Sequence, residues 1–268
     1  MAALCGAVAL SGCAAISPKA PEVVAPAPGP AADVAALVDA MNARERNLDS
    51  LQTAAVMEYR NGDDHVKARE QIVLKRPSSM RVDAMSPFGV AMVVAARDDN
   101  LQIFDSSNNT FMHGVASART LARFVRIPMA PRDAIGLMMA IAPVQDRRAP
   151  DRVADEGPMK ILAYKNGNGD EDELGFEAGE LRMVRGRASQ GAIAYEVRYA
   201  SYHDIGGVMF PYEVDAEFPG AQSRVSFRYQ RPIVNGVVQD SIFVLTPGPT
   251  SKTVEIGAAR DSTSGFNG

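Results

Sequence analysis

Side chains able to do covalent or metal chemistry are sparse in this sequence and poorly placed for it. Its two cysteines, Cys5 and Cys13, both fall within the first thirteen residues. The rest of the chain therefore has no internal disulfide, no thiolate nucleophile and no Cys-ligated metal. His65, His113 and His203 stand far apart in sequence, and none lies in a metal or nucleophile motif. Gly-x-Ser-x-Gly, P-loop and dinucleotide-binding patterns do not occur. Oxygen ligands are dense only at Asn166-Gly167-Asn168-Gly169-Asp170-Glu171-Asp172-Glu173, which lacks the full EF-hand spacing. A solvated hairpin turn is the reading there, with calcium as the alternative. No enzyme activity, no metal and no cofactor are expected.

Cys13 is the residue with chemistry of its own. The segment from Ala2 to Leu10 is almost wholly apolar and runs into Leu10-Ser11-Gly12-Cys13. It is too short to span a bilayer as a helix, and it fits the apolar region of an export signal followed by small residues. The tetrapeptide resembles the lipobox of bacterial lipoproteins, in which the Cys thiol receives a diacylglycerol and the chain is cut before it. The resemblance implies a signal peptide over residues 1–12 and lipid attachment at Cys13, with two or more acyl chains giving stable anchoring. Ala14 after the cysteine leans the sorting towards the outer membrane, facing the periplasm. An ordinary secretion signal or a buried N-terminal strand is the competing reading.

With 268 residues the chain can form one large domain or two small ones. Its formal net charge of −4 offers no basic excess for nucleic acid. Trp is absent, so any apolar cavity must be lined mainly by aliphatic side chains and Met. Residues 13–32 carry the cysteine and an Ala- and Pro-rich stretch (Pro18, Pro21, Pro26, Pro28, Pro30), which reads as a linker from the membrane.

A helix is predicted from Asp33, as N-cap, to about Asn47, because Val34, Leu37, Val38 and Met41 recur at helical spacing. From Leu51 the period becomes two. Candidate strands are 51–60, 65–76, 80–86, 90–97, 101–105 and 110–115. A helical insert follows, with Leu121, Phe124 and Val125 in one piece and Ile135, Leu137, Met138, Met139 and Ile141 in a second after Pro131. Strands resume at 159–165, 173–178, 180–186, 192–203, 208–218 and 223–233. In the hairpin across Pro219-Gly220, one register sets Phe218 against Ser223, Ala216 against Val225, Val214 against Phe227 and Tyr212 against Tyr229. The same register places Glu217 opposite Arg224 and Glu213 opposite Arg228, so apolar pairs share one face and opposite charges the other. The sum is a mainly β chain with some α, whose helices are available to cover the apolar face of a strongly curved antiparallel sheet.

Several short blocks, in order, resemble the LolA/LolB-like superfamily of lipoprotein carriers and receptors. They are Lys75-Arg76-Pro77 followed by Met80-Arg81-Val82, then Ser86-Pro87-Phe88-Gly89, then Asn100-Leu101 to Phe104-Asp105. The helical pair Leu121–Pro128 and Ala130–Ile141, and Phe243-Val244-Leu245 with Pro247, complete the set. The resemblance covers residues 33–250 and leaves 251–268 as a flexible C-terminal tail. It implies an unclosed barrel of about 11 strands under a helical lid, with a hydrophobic cavity for the acyl chains of other lipoproteins. The absence of Trp, the longer mid-section at 143–158 and the acidic turn at 166–173 depart from the pattern.

On this resemblance the protein is an outer-membrane-anchored lipoprotein that binds acyl chains and assists lipoprotein localisation and insertion. It would work as a monomer and receive cargo from a periplasmic carrier. An envelope sensor or structural partner of the same fold, without transport, is the alternative. Phe88, between Pro87 and Gly89, either projects as a membrane-insertion loop or folds back onto the core. Arg76 and Arg81 either hold the lid through helix-end carbonyls or form a solvated face. Met85, Met92, Leu121, Phe124 and Met138 are assigned to the lid and cavity, with core packing as the plainer reading for the methionines.

Overall fold

The computed structural model describes residues 34–144 and 149–256. Cys13, the Asp33 cap, the linker and the last twelve residues lie outside the described residues.

Helix α1 spans Val34–Asn47, and its Leu37 and Met41 are buried with Val34 and Val38 packed beside them. This is the stripe that the helical spacing marks out. Six strands follow: β1 (Ser50–Asn61), β2 (Asp64–Lys75), β3 (Ser79–Ser86), β4 (Gly89–Arg97), β5 (Asn100–Asp105) and β6 (Thr110–Val115). Two short helices, α2 (Ala118–Phe124) and α3 (Pro131–Met138), interrupt the strands. The sheet then continues through β7 (Arg152–Glu156), β8 (Met159–Lys165), β9 (Glu171–Glu177), β10 (Glu180–Arg187), β11 (Ile193–Ile205), β12 (Val208–Phe218), β13 (Ser223–Val234) and β14 (Lys252–Ile256).

All 14 strands belong to one curved sheet, ordered β14-β6-β5-β4-β3-β2-β1-β13-β12-β11-β10-β9-β8-β7. The first and the last long strands meet, β1 against β13, while β14 and β7 are left as edges, so the barrel is unclosed. Register shifts between β1 and β13, β3 and β4, and β9 and β10 place bulges on β13, β4 and β10, which increase local twist and bend the sheet. Inward residues such as Leu51, Ile72, Leu74, Ile103, Val214 and Phe227 make one core with the helices.

The β12–β13 hairpin has the register that its alternation implies, from Phe218–Ser223 to Glu213–Arg228. Glu217 and Arg224 form an ion pair, and Arg228 lies 3.4 Å from Glu213 and 3.2 Å from Asp215. Pairing stops there. Tyr212 does not face Tyr229 but lies edge-on to His203, 4.5 Å between ring centres, while Tyr229 pairs across β1 with Ala55.

Two strands are not visible as alternation in the sequence. β7 (Arg-Val-Ala-Asp-Glu) is an edge strand with both faces largely wet, so no period of two develops. β14 lies in the segment read as a flexible tail and pairs in parallel with β6. A Cβ on Gly114 would sit 2.0 Å from Ile256 O, so a glycine at this point lets β14 approach. On the opposite face of β3 and β4 a turn at Asp240–Phe243 buries Phe243. It is held by Lys75 to Asp240 at 2.8 Å and by Arg81 Nη1 donating to Ile242 O at 3.1 Å.

Candidate ligand-binding site at the helical lid

Helices of seven and eight residues are too short to persist alone, so their ends and packing must hold them. Ser117 caps α2: its hydroxyl accepts from Thr120 N at 3.3 Å, while Thr120 Oγ1 accepts from Ser117 N at 2.9 Å. Pro131 starts α3 with the φ that a first turn needs. Its buried face, including Ala134, Ile135, Leu137 and Met138, lies on the sheet.

A helix C-terminus leaves carbonyls without partners, and here side chains from elsewhere supply the donors. The Tyr199 hydroxyl donates to Leu137 O at 2.9 Å, and the Tyr229 hydroxyl donates to Met138 O at 2.9 Å. Arg44 Nη2 donates to Met139 O at 2.9 Å and its Nε to Ala140 O at 2.8 Å. Its Nη1 donates to Met209 O at 2.7 Å. Four consecutive lid carbonyls are thus tied down by three side chains. Burial drives both tyrosines well above their ordinary pKa, so they stay protonated donors. Burial also lowers Arg44, partly offset by Tyr202 and Tyr199.

Beneath α3, against β11 to β13, the free space is only about 20 Å³, lined among others by Met129, Leu137, Met138, Phe218 and Phe227. That is room for about one water. The protein's own side chains fill the space beneath α3 where the resemblance implies a cavity.

Beside the lid lie a cleft of about 410 Å³ that includes Arg76 and Arg132 and two larger ones. One, of about 580 Å³, lies between α1 and the β9–β10 and β11–β12 turns. The other, of about 690 Å³, is polar and includes Asp133, Asp172, Arg187 and Tyr195. Burial raises the pKa of Asp133 and Asp172, and Asp172 accepts from the Tyr195 hydroxyl at 2.8 Å. The Tyr195 ring lies over Gly186, where a Cβ would come within 2.2 Å of it.

Glu70 is the oddest residue on the inner face. It occupies the inward phase of β2, in series with Val66, Ala68, Ile72 and Leu74, and is only 6% exposed. Its cross-strand neighbours are Ala55 and Ala84. Oε2 makes no hydrogen bond among the described residues, and burial pushes the carboxyl up to about 7.

On the other side of the sheet, Arg185 binds Glu196 at 2.7 Å, Glu173 at 3.0 Å and Glu156 at 3.2 Å. Arg152 and Arg187 also reach Glu173, at 2.7 and 3.0 Å. Burial acts to raise Glu173, but the hydrogen bonds from Arg152, Arg185 and Arg187 outweigh it and hold the carboxyl below its ordinary range.

The described residues thus form a single open sheet whose apolar inner face carries a short helical lid. Solved structures share this arrangement. A LolA superfamily protein from Nitrosomonas europaea superposes with a TM-score of 0.55 at 14% identity, over 80% of this chain and 99% of that one. The chain has the LolA-type fold. A Vibrio parahaemolyticus domain assigned to outer membrane lipoprotein sorting matches with a TM-score of 0.53 at 8% identity, over 77% of this chain and 94% of that one. A DUF1329 family protein from Desulfovibrio piger gives 0.55 at 11% identity, over 78% and 94%. No sequence-family model matches the chain, and no curated protein matches it by sequence.

In this LolA-type domain the expected site residues divide. Leu121 and Met138 are buried under the lid, and Phe124 and Met92 pack at the core's edge. Arg76 binds helix-end carbonyls as one reading has it: Nη1 donates to Glu45 O and, at 3.2 Å, to Leu48 O, while Nη2 reaches Glu45 Oε1 at 3.0 Å. These belong to the end of α1, not to α2 or α3. Arg81 is not a lid residue. It lies on the opposite face, paired with Asp83 at 2.8 Å and holding Ile242 O, because residue 81 falls in the outward phase of β3.

Met85 is also displaced from its expected place. At 36% exposed it lies at the end of β3 beside the β3–β4 turn, paired with Arg69 and Val90, and not in the core. Phe88 in that turn is 100% exposed, with Val90 beside it, so the projecting reading of Pro87-Phe88-Gly89 is the one observed. Ser86 fixes the turn, its hydroxyl donating to Gly89 O at 3.0 Å and accepting from Phe88 N at 3.2 Å.

The sequence reading missed Arg44, Tyr199, Tyr229 and Glu70. A polar side chain in the inward phase of an apolar strand is the signal for the last three. The 166–173 segment is a hairpin turn: Asn166 N donates to Asp170 O at 2.9 Å, and Glu171 and Glu173 pair with Arg152. Among the described residues no group of three or more His, Cys, Asp or Glu is placed to hold a metal, and no helix is long and apolar enough to cross a membrane.

Proposed function

We propose that this chain is a membrane-tethered acyl-chain-binding protein that assists lipoprotein localisation and insertion, with no covalent chemistry of its own. In this reading Cys13 carries the lipid, the outer membrane holds the anchor, and a periplasmic carrier delivers cargo to a monomer. The observation that carries the proposal is the lid: a short helix over a mainly apolar sheet face, with four consecutive carbonyls at and just past its C-terminus, Leu137 to Ala140, held by side-chain hydrogen bonds that can be exchanged. With about 20 Å³ free beneath it, α3 has to lift before a chain can enter. Tethering keeps the apolar surface exposed by that motion close to a bilayer. Phe88 at the β3–β4 turn then contacts the membrane transiently.

A second reading is supported by the same filled interior. A domain that never opens would serve as a sensor or structural partner through its outer surfaces. Hydrogen exchange separates the two. With a palmitoylated peptide present, the amides of residues 131–141 are expected to exchange faster in a carrier, and to stay unchanged in a domain that never opens.

A further inference from the structure

We infer that the cleft between α1 and the β9–β10 and β11–β12 turns binds a single-chain carboxylate amphiphile, a long-chain fatty acid, with its head group on Arg44. At about 580 Å³ the cleft lies within the roughly 300–1,000 Å³ usual for small-ligand sites. Ala40, Ala43, Ile141, Leu181, Val208 and Met209 make its walls mainly apolar. Met209 is partly exposed at 42%, which leaves wet surface for a chain to cover.

The charges at the cleft select an anion. Glu180, the acid on its wall, is paired with Arg182 at 2.6 Å. The Tyr202 hydroxyl is occupied, donating to Leu181 O. Arg44 is different: its three hydrogen bonds all go to neutral carbonyls, and among the described residues it forms no ion pair. A guanidinium has five N–H donors, so two remain for a ligand. A carboxylate at this point offsets the cost of desolvating the cation. The apolar walls then take the chain. The cleft lies outside the space beneath α3, so this site does not depend on the lid opening.

The test is calorimetric titration of the full chain with palmitate and, as an uncharged control, 1-hexadecanol. One palmitate per chain is expected, with hexadecanol at least about tenfold weaker, as is palmitate with Arg44→Gln, because a hydrogen bond to a charged group is lost. Ala43→Phe, which fills the cleft from the helix side and leaves Arg44 in place, is expected to abolish binding. Should Arg44→Gln fail to fold, the hexadecanol and Ala43→Phe comparisons decide alone. Palmitate binding that survives Ala43→Phe, equal affinity for the alcohol, or no binding by the unaltered chain overturns the inference. None of these results depends on whether residues 131–141 become exposed with a lipidated peptide.

Discussion

The Tyr229 hydroxyl on β13 donates to Met138 O, the last helical carbonyl of α3, at 2.9 Å. This bond joins the sheet to the lid, and the lid carbonyl has no other donor among the described residues. Leu137 O accepts from the Tyr199 hydroxyl at 2.9 Å and also from backbone N–H groups, Ala140 N at 3.0 Å among them. Tyr229→Phe is therefore expected to cost about 1–3 kcal/mol, since it strands a buried acceptor, and Tyr199→Phe is expected to cost less. Urea denaturation measures both. Equal costs would show that the lid relaxes around the lost bond.

Glu70 makes stability fall as pH rises. Its folded-state pKa of about 7 lies above the ordinary 4.5, so the stability it contributes is full below about pH 4.5 and lost as pH passes 7. The swing is about 3 kcal/mol. Glu70→Gln is expected to remove this slope, so that unfolding curves at pH 5 and pH 8 draw together. An unchanged slope in the variant would place the titration elsewhere.

Glu173 works in the opposite sense. Its carboxyl is held below its ordinary value by Arg152, Arg185 and Arg187, so its contribution is present at neutral pH and lost in acid. Glu173→Gln leaves three guanidinium groups converging without their shared acid. A loss of about 1–3 kcal/mol at pH 7 is expected, because Arg185 keeps Glu156 and Glu196 and Arg152 keeps Glu171 when the shared acid is gone. The gap between variant and parent should shrink as pH falls below 4. A constant gap would mean that packing, not charge, sets the cost.

Phe88 touches nothing that it would destabilise by leaving. Phe88→Glu is expected to change stability by less than about 0.5 kcal/mol. In a chain carrying Cys13→Ser, so that the anchor does not dominate, vesicle association should weaken by about tenfold or more, the worth of burying one Phe. Sedimentation with phospholipid vesicles reads this directly.

Much of the fold was legible because strand alternation and core burial follow from the same period. The β12–β13 register shows this best, since apolar pairing and charge pairing both require it. The same logic failed at the edges: β7 buries neither face well, and β14 is fixed by space at Gly114, which no periodicity records. The projection of Phe88 follows from its Pro-Phe-Gly turn, whereas Arg76 serves the end of α1 and not the lid to which the resemblance assigns it. Arg44 could not be read, because its role depends on α3 ending beside α1, a relation created only by the closed lid. Strand phase did hold information on Arg81 and Glu70 that a motif-based reading passed over: the first points outward with Asp83, the second inward among alanines.

The central claim is that the sheet beneath α3 takes up fatty chains when the lid lifts. Mass spectrometry of the organic extract from the chain purified with Cys13→Ser measures this most directly. Acyl material is expected at up to about one equivalent, displaced by a lipidated peptide, with occupancy raised in Tyr229→Phe as the lid loosens. Protein that is free of acyl material, takes up none from lipidated peptide and gains none in Tyr229→Phe would contradict it.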